Sequence, residues 1–126
     1  MLSSAYSIAI IDDEEPIRRA LLRLLSSLGM HATAYSSGKE FLSQWYIDPP
    51  NCIVLDLQMP GINGLELLTY LRRIGATFPA IMITAHDGIA MRDSCLAAGA
   101  DAYLHKPLDE QVLLDAISHA LPMAEL

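Results

Sequence analysis

Four short apolar runs in this chain each end on a residue that can do chemistry. SIAIID closes on Asp12 with Asp13 behind it, NCIVLD closes on Asp56, AIMIT closes on Thr84, and DAYLHK closes on Lys106. Carboxylates drawn within several ångströms of one another repel, and at least one pKa rises unless a cation sits among them. Oxygen ligands from one or two carboxylates, completed by water and a phosphate, describe a Mg²⁺ site; zinc would ask for His or Cys. Lys106 offers a compact positive charge that can pair with Asp56 or with a phosphoryl oxygen bound to it, and Thr84 offers a hydroxyl donor. Together these groups suit phosphoryl transfer, in which positioning and charge neutralisation carry most of the catalysis. Asp56 is the nucleophile in this reading, because it comes straight off an apolar strand and a carboxylate needs no base. Asp12 and Asp13, ahead of Glu14-Glu15-Pro16, read as metal holders at a helix start.

Such residues meet only if the strands carrying them lie parallel in one sheet, where ligands bind outside the carboxyl ends. The alternation along the chain predicts that arrangement. Strands are expected over 7–11, 31–35, 51–55, 80–84 and 101–104, each a short apolar run bounded by charges or turn residues. Helices are expected over 15–28, 65–74, 88–98 and 109–121, with Pro16 in a first turn, Gly29, Gly75 and Gly99 past the ends, and Asp109 as an N-cap. A further helix, capped by Ser36 or Ser37, should run through Phe41, Leu42 and Trp45 until Asp48-Pro49-Pro50 stops it. The expected fold is α/β: a doubly wound, five-stranded parallel sheet of flavodoxin-like order 2-1-3-4-5, with five helices on its two faces.

At 126 residues the chain fits one domain spanning 1–126, able to bury roughly two-thirds of its unfolded surface. Its composition, 52% hydrophobic and 18% charged, is too apolar for disorder, yet no run reaches the length of a membrane helix. The N-terminus lacks a basic n-region and a cleavage site, so the expected location is cytoplasmic. A formal charge of −7 argues against direct nucleic-acid binding by this chain. Cys52 and Cys95 form no CxxC pair and read as buried free thiols.

IIDDEEPIR, VLDLQMPGINGLELL, MITAHD, AAGADAYLHKP and the terminal amphipathic helix, in that order, resemble the receiver domain of two-component response regulators. That resemblance covers the whole chain. It implies that Asp56 accepts a phosphoryl group from a histidine kinase, that Asp12, Asp13 and Asp56 hold Mg²⁺ with the Gln58 backbone carbonyl, and that Lys106 pairs with the phosphoryl group. It further implies that Thr84 binds a phosphoryl oxygen after transfer, that Tyr103 turns inward as the switch aromatic, and that the bond before Pro107 is cis, the one class of peptide for which cis costs little. Receivers of this kind are signalling domains rather than turnover enzymes; they form homodimers on phosphorylation and act through an output domain in cis or a partner in trans. The opening, the GxELL and the ending resemble receivers that precede a LuxR-type helix-turn-helix, with transcription as the output. Gln58 and His86 stand at positions that tune acyl-phosphate lifetime in the family.

Blander readings exist for each residue. Asp12-Asp13 alone is a solvated cap, Lys106-Pro107 a turn, Tyr103 a static core aromatic, Met59, Met82 and Met91 gap-fillers, and Arg18, Arg19, Arg72 and Arg73 solvated helix faces, the first pair also able to meet a partner. His31, His86, His105 and His119 have no ligand-spaced partners and receive no chemistry. Among functions, an aspartyl-nucleophile hydrolase would want a second acid two residues after Asp56, where Gln58 stands. A flavodoxin-like cofactor binder would want a Ser/Thr/Gly-rich loop in place of Asp-Asp-Glu-Glu. A docking-only pseudo-receiver would have little need for the intact set.

Overall fold

The computed structural model describes residues 6–85 and 88–121, so His86, with the lifetime role expected of its position, lies outside the described residues. The elements are β1 (Ser7–Ile11), α1 (Glu15–Ser27), β2 (His31–Tyr35), α2 (Gly38–Leu42), β3 (Cys52–Asp56), α3 (Gly64–Arg73), β4 (Ala80–Thr84), α4 (Ile89–Ala97), β5 (Ala102–His105) and α5 (Glu110–Ala120). All pairings are parallel and the sheet order is β2-β1-β3-β4-β5, the doubly wound arrangement that the strand-helix alternation predicts. None of the described helices is long and apolar enough to cross a membrane.

Every residue of β3 (CIVLD) and β4 (AIMIT) is buried, because helices cover both faces of a parallel sheet and leave no side for polar alternation. Side chains still alternate, and this divides the core in two. Ala9, Ile11, Ile53, Leu55 and Met82 join Phe41 of α2, Leu67, Leu68 and Leu71 of α3 and Cys95 of α4. On the other face Ile8, Ile10, Val54, Ile81 and Ile83 meet Leu21 and Leu25 of α1 and Leu113 and Ile117 of α5. Both cysteines are free and buried, and burial pushes the Cys52 thiol up to about 12.

Ser37 and Asp109 cap their helices through bonds from the Glu40 and Val112 amides. One element departs from expectation: α2 ends at Leu42 rather than running through Trp45. Ser43 is the reason. Its hydroxyl donates to the Glu40 carbonyl at 2.7 Å and its amide is shared between Lys39 and Glu40, so the chain continues as tight turns to Ile47. Trp45 nevertheless reaches the core, edge-on to Phe78 at 5.7 Å.

Register sets the pocket. Ile11 lies abreast of Leu55, Asp56 of Ile83 and Thr84 of His105. Backbone bonds then carry the ladder one residue beyond the strands, from Asp12 to Tyr35 O (3.1 Å), Leu57 to Ile83 O (2.8 Å) and Lys106 to Thr84 O (2.8 Å). The chemistry-bearing residues thus emerge along one edge.

Candidate functional site

Among the described residues the buried polar or charged ones are Asp12, Asp56 and Thr84, at 0, 2 and 0% exposure. A carboxylate removed from water costs several kcal/mol unless charge and hydrogen bonds compensate, and here the compensation is Lys106. Its Nζ stands 3.0 Å from Asp12 Oδ2, 3.4 Å from Asp56 Oδ1 and 2.8 Å from Glu14 Oε1. One ammonium therefore serves three acids. Burial alone would lower the Lys106 pKa, but its hydrogen bond to Glu14 and the neighbouring carboxylates of Asp12 and Asp56 outweigh it and hold the group above its ordinary range.

Asp12 is tied in place. Its Oδ1 accepts from the Glu14 amide at 2.8 Å, and its main-chain carbonyl accepts from Arg18 Nη1 at 2.8 Å, which fixes the turn into α1. Its Oδ2 is wholly buried and has no hydrogen-bond partner; Lys106 attracts it as an ion pair at 3.0 Å. Asp56 Oδ1 accepts from the Gln58 amide at 3.3 Å. Burial first, then the Asp12 charge, push the Asp56 carboxyl up to about 7, against a smaller downward pull from Lys106 and with further upward contributions from Asp13.

One oxygen from each of Asp12, Asp13 and Asp56 falls within 4.8 Å of the others. An all-oxygen set, three formal negative charges against one ammonium, and an orphaned buried carboxylate oxygen fit a small hard cation such as Mg²⁺. Gly64 completes the loop beneath. A Cβ there would collide with the Asp56 carbonyl oxygen and stand 2.9 Å from Leu57 Cα, so α3 can start this close to Asp56 only on a glycine.

Thr84 Oγ1 donates to Gln58 Oε1 at 2.9 Å. The partly buried Tyr103 ring packs against the α3-side core and meets His105 edge-on, centroids 5.8 Å apart. The Lys106–Pro107 peptide is cis.

A family model described as the response regulator receiver domain matches residues 8–118 of this chain. The chain belongs to the response regulator receiver domain family. Nodulation protein W of Bradyrhizobium diazoefficiens is 36% identical over 115 residues, covering 91% of this chain and 51% of that protein. The transcriptional regulatory protein FixJ of Azorhizobium caulinodans is 35% identical over 120 residues, covering 95% of this chain and 57% of that protein. The receiver thus spans about half the length of such relatives. Among solved structures, FixJ-N superposes with a TM-score of 0.85 at 33% identity, covering 95% of this chain and 94% of that one. The response regulator StyR gives a TM-score of 0.84 at 37% identity, covering 93% and 60%.

Several contacts in this receiver escape the sequence reading. Glu14 on Lys106 and the Gln58 side chain on Thr84 join loops 92 and 26 residues apart, with no local pattern to announce them. Asn63 and Glu66 form a capping box at the start of α3 that the Asn-x-x-Glu spacing does signal. Arg72, expected on a solvated helix face, instead donates to the carbonyls of Ala76, Phe78 and Gly99. Met91, expected as a gap-filler, is 41% exposed, because α4 buries only Cys95.

Proposed function

We propose that this receiver, as one unit over 1–126, accepts a phosphoryl group on Asp56 from a histidine kinase and changes conformation in response. The observation that carries the reading is Asp56 itself: a carboxylate 2% exposed at the end of the central strand, with Lys106 Nζ at 3.4 Å and oxygens of Asp12 and Asp13 within 4.8 Å. In the transfer, a carboxylate oxygen of Asp56 attacks phosphorus, the P–N bond of the phosphohistidine breaks, and its electron pair returns to the imidazole nitrogen. Asp56 is left as a mixed anhydride.

Asp12, Asp13, Asp56 and the Gln58 main-chain carbonyl would hold Mg²⁺. Bound there, the ion would neutralise charge on the acids and on the phosphoryl oxygens. Lys106, already between Asp12 and Asp56, would shift its ammonium onto a phosphoryl oxygen. Thr84 would donate its hydroxyl to another, and Tyr103 would turn inward behind it. The domain would catalyse only its own phosphorylation and dephosphorylation.

The output is a second reading at longer range. Relatives such as FixJ are named transcriptional regulators and extend well beyond the matched region, which supports control of transcription through an output domain or partner; the receiver would act in the cytoplasm and dimerise when phosphorylated. With a charge of −7 the receiver itself would leave nucleic acid alone.

Incubation with acetyl phosphate and Mg²⁺, followed by intact mass, tests the central step. The wild type should gain one phosphoryl group and Asp56→Asn none. Equal labelling of both proteins would remove Asp56 from the role.

A further inference from the structure

We propose that Gln58 is a latch on Thr84: its side-chain carbonyl holds the hydroxyl that a phosphoryl group on Asp56 must recruit. The inference rests on the reading of Asp56 as acceptor and concerns what restrains the switch before transfer. Gln58 touches both ends of the event. Its backbone amide lies 3.3 Å from Asp56 Oδ1, and its Oε1 takes the Thr84 hydroxyl at 2.9 Å.

A threonine hydroxyl has one hydrogen to give. While Gln58 holds it, that hydrogen is unavailable to a phosphoryl oxygen, so the competent population is the fraction in which the bond is open. The apparent affinity for the phosphoryl group is lowered by that fraction. Folding does not need the contact, because the main chain of Thr84 is already pinned by β4–β5 pairing and by the Lys106 amide at 2.8 Å. Opening is cheap for Gln58, an exposed residue whose freed carbonyl finds water. For fully buried Thr84, giving up the Gln58 acceptor costs least when another acceptor arrives. A phosphoryl oxygen is such an acceptor.

Lys106 is held too, by Glu14 at 2.8 Å, but the Glu14 side chain is 56% exposed. Pairs that wet contribute little. Its other partners, Asp12 at 3.0 Å and Asp56 at 3.4 Å, already keep the ammonium beside the acceptor, so Lys106 needs only a short shift while Thr84 must exchange its partner.

The test titrates beryllofluoride, a phosphoryl mimic that caps a carboxylate, at fixed Mg²⁺ into wild type, Gln58→Met, Thr84→Val and the double variant. Gln58→Met keeps the length and removes the acceptor. It should lower the half-saturating concentration about fivefold, the worth of one neutral hydrogen bond, and should change nothing when Thr84 is already Val. A gain of similar size in both backgrounds, or weaker binding in Gln58→Met, overturns the latch while leaving Asp56 as acceptor. A wild type that does not respond at all overturns the acceptor reading and the latch with it. If the Met variant fails to fold by its urea transition, Gln58→Ala is read by the same criteria.

Discussion

Asp56 is held where its charge is unwelcome, and the metal-free protein must show it. Its carboxyl titrates at about 7 in the folded chain, against an ordinary 3.8, chiefly through burial and the Asp12 charge. Below the ordinary value it is protonated folded and unfolded alike, and its contribution to stability is complete. As pH rises from there towards 7, the unfolded chain loses the proton first, so stability falls; above the folded pKa the loss is complete. At about 1.4 kcal/mol per pH unit separating the two titrations, the effect is a few kcal/mol. In EDTA, the urea midpoint should therefore fall from pH 5 to pH 8, and Asp56→Asn should flatten that slope and raise the midpoint at pH 8. A midpoint at pH 8 that is unchanged or lower in Asp56→Asn would contradict the account. Gly64 makes a second residue-level case, with steric rather than electrostatic origins. Its missing Cβ is what lets α3 start against the Asp56 carbonyl and Leu57 Cα. Gly64→Ala must push the β3–α3 loop aside. The expected cost is about 2 kcal/mol or more, as for other forced overpacking, with slower labelling of Asp56 by acetyl phosphate; normal stability with normal labelling would show that the loop yields freely.

Between elements, the contacts that matter are carried by long side chains reaching across loops. Arg72 leaves the end of α3 to donate through Nη1 to Ala76 O (3.1 Å) and Phe78 O (2.8 Å) and through Nη2 to Gly99 O (2.9 Å), with Asp101 Oδ2 at 3.9 Å. It clips α3 to the segment entering β4 and to the turn between α4 and β5, and Gly99 sits so near that a Cβ there would be 2.8 Å from Arg72 Nε. Lysine carries the charge but lacks the planar fork. Arg72→Lys should lose part of the clip and about 1–3 kcal/mol of stability, while phosphoryl acceptance at Asp56 persists; an unchanged urea midpoint would mean that solvent replaces those bonds without penalty. The same clip shows where sequence reading ends. β1, β3, β4 and β5 are legible because each is a short apolar run bounded by charges or turn residues, and their parallel order brings Asp12, Asp56, Thr84 and Lys106 to one edge with no further information. The length of α2 is not legible, since Phe41, Leu42 and Trp45 have the same spacing in a helix as in the succession of turns that Ser43 imposes. Arg72 on Gly99, Gln58 on Thr84 and Glu14 on Lys106 are illegible for another reason: each joins residues that only the finished fold makes neighbours.

At the scale of the whole molecule the charge is lopsided, with 15 acidic residues against 8 Lys and Arg, and three of the acids are crowded at one corner. Two kinds of cation effect follow, and they can be separated. Diffuse self-repulsion across the surface is relieved by any salt, over a Debye length of about 8–10 Å near physiological strength. Relief at the corner demands an ion small and hard enough to satisfy clustered oxygens, among them Asp12 Oδ2, which has no hydrogen-bond partner of its own. The order β2-β1-β3-β4-β5 puts that corner across β1 and β3 at the middle of the sheet, so an ion bound there would resist unfolding of the entire domain. A ligand of the folded state stabilises it by mass action, about 1.4 kcal/mol at ten times its dissociation constant. Raising Mg²⁺ should therefore increase the thermal midpoint beyond NaCl of equal ionic strength, and the excess should vanish in Asp12→Asn, whose own midpoint in EDTA need not fall because the substitution also removes a repelling charge. NaCl matching Mg²⁺ in full, or an undiminished Mg²⁺ increment in Asp12→Asn, would reduce the corner to ordinary surface electrostatics.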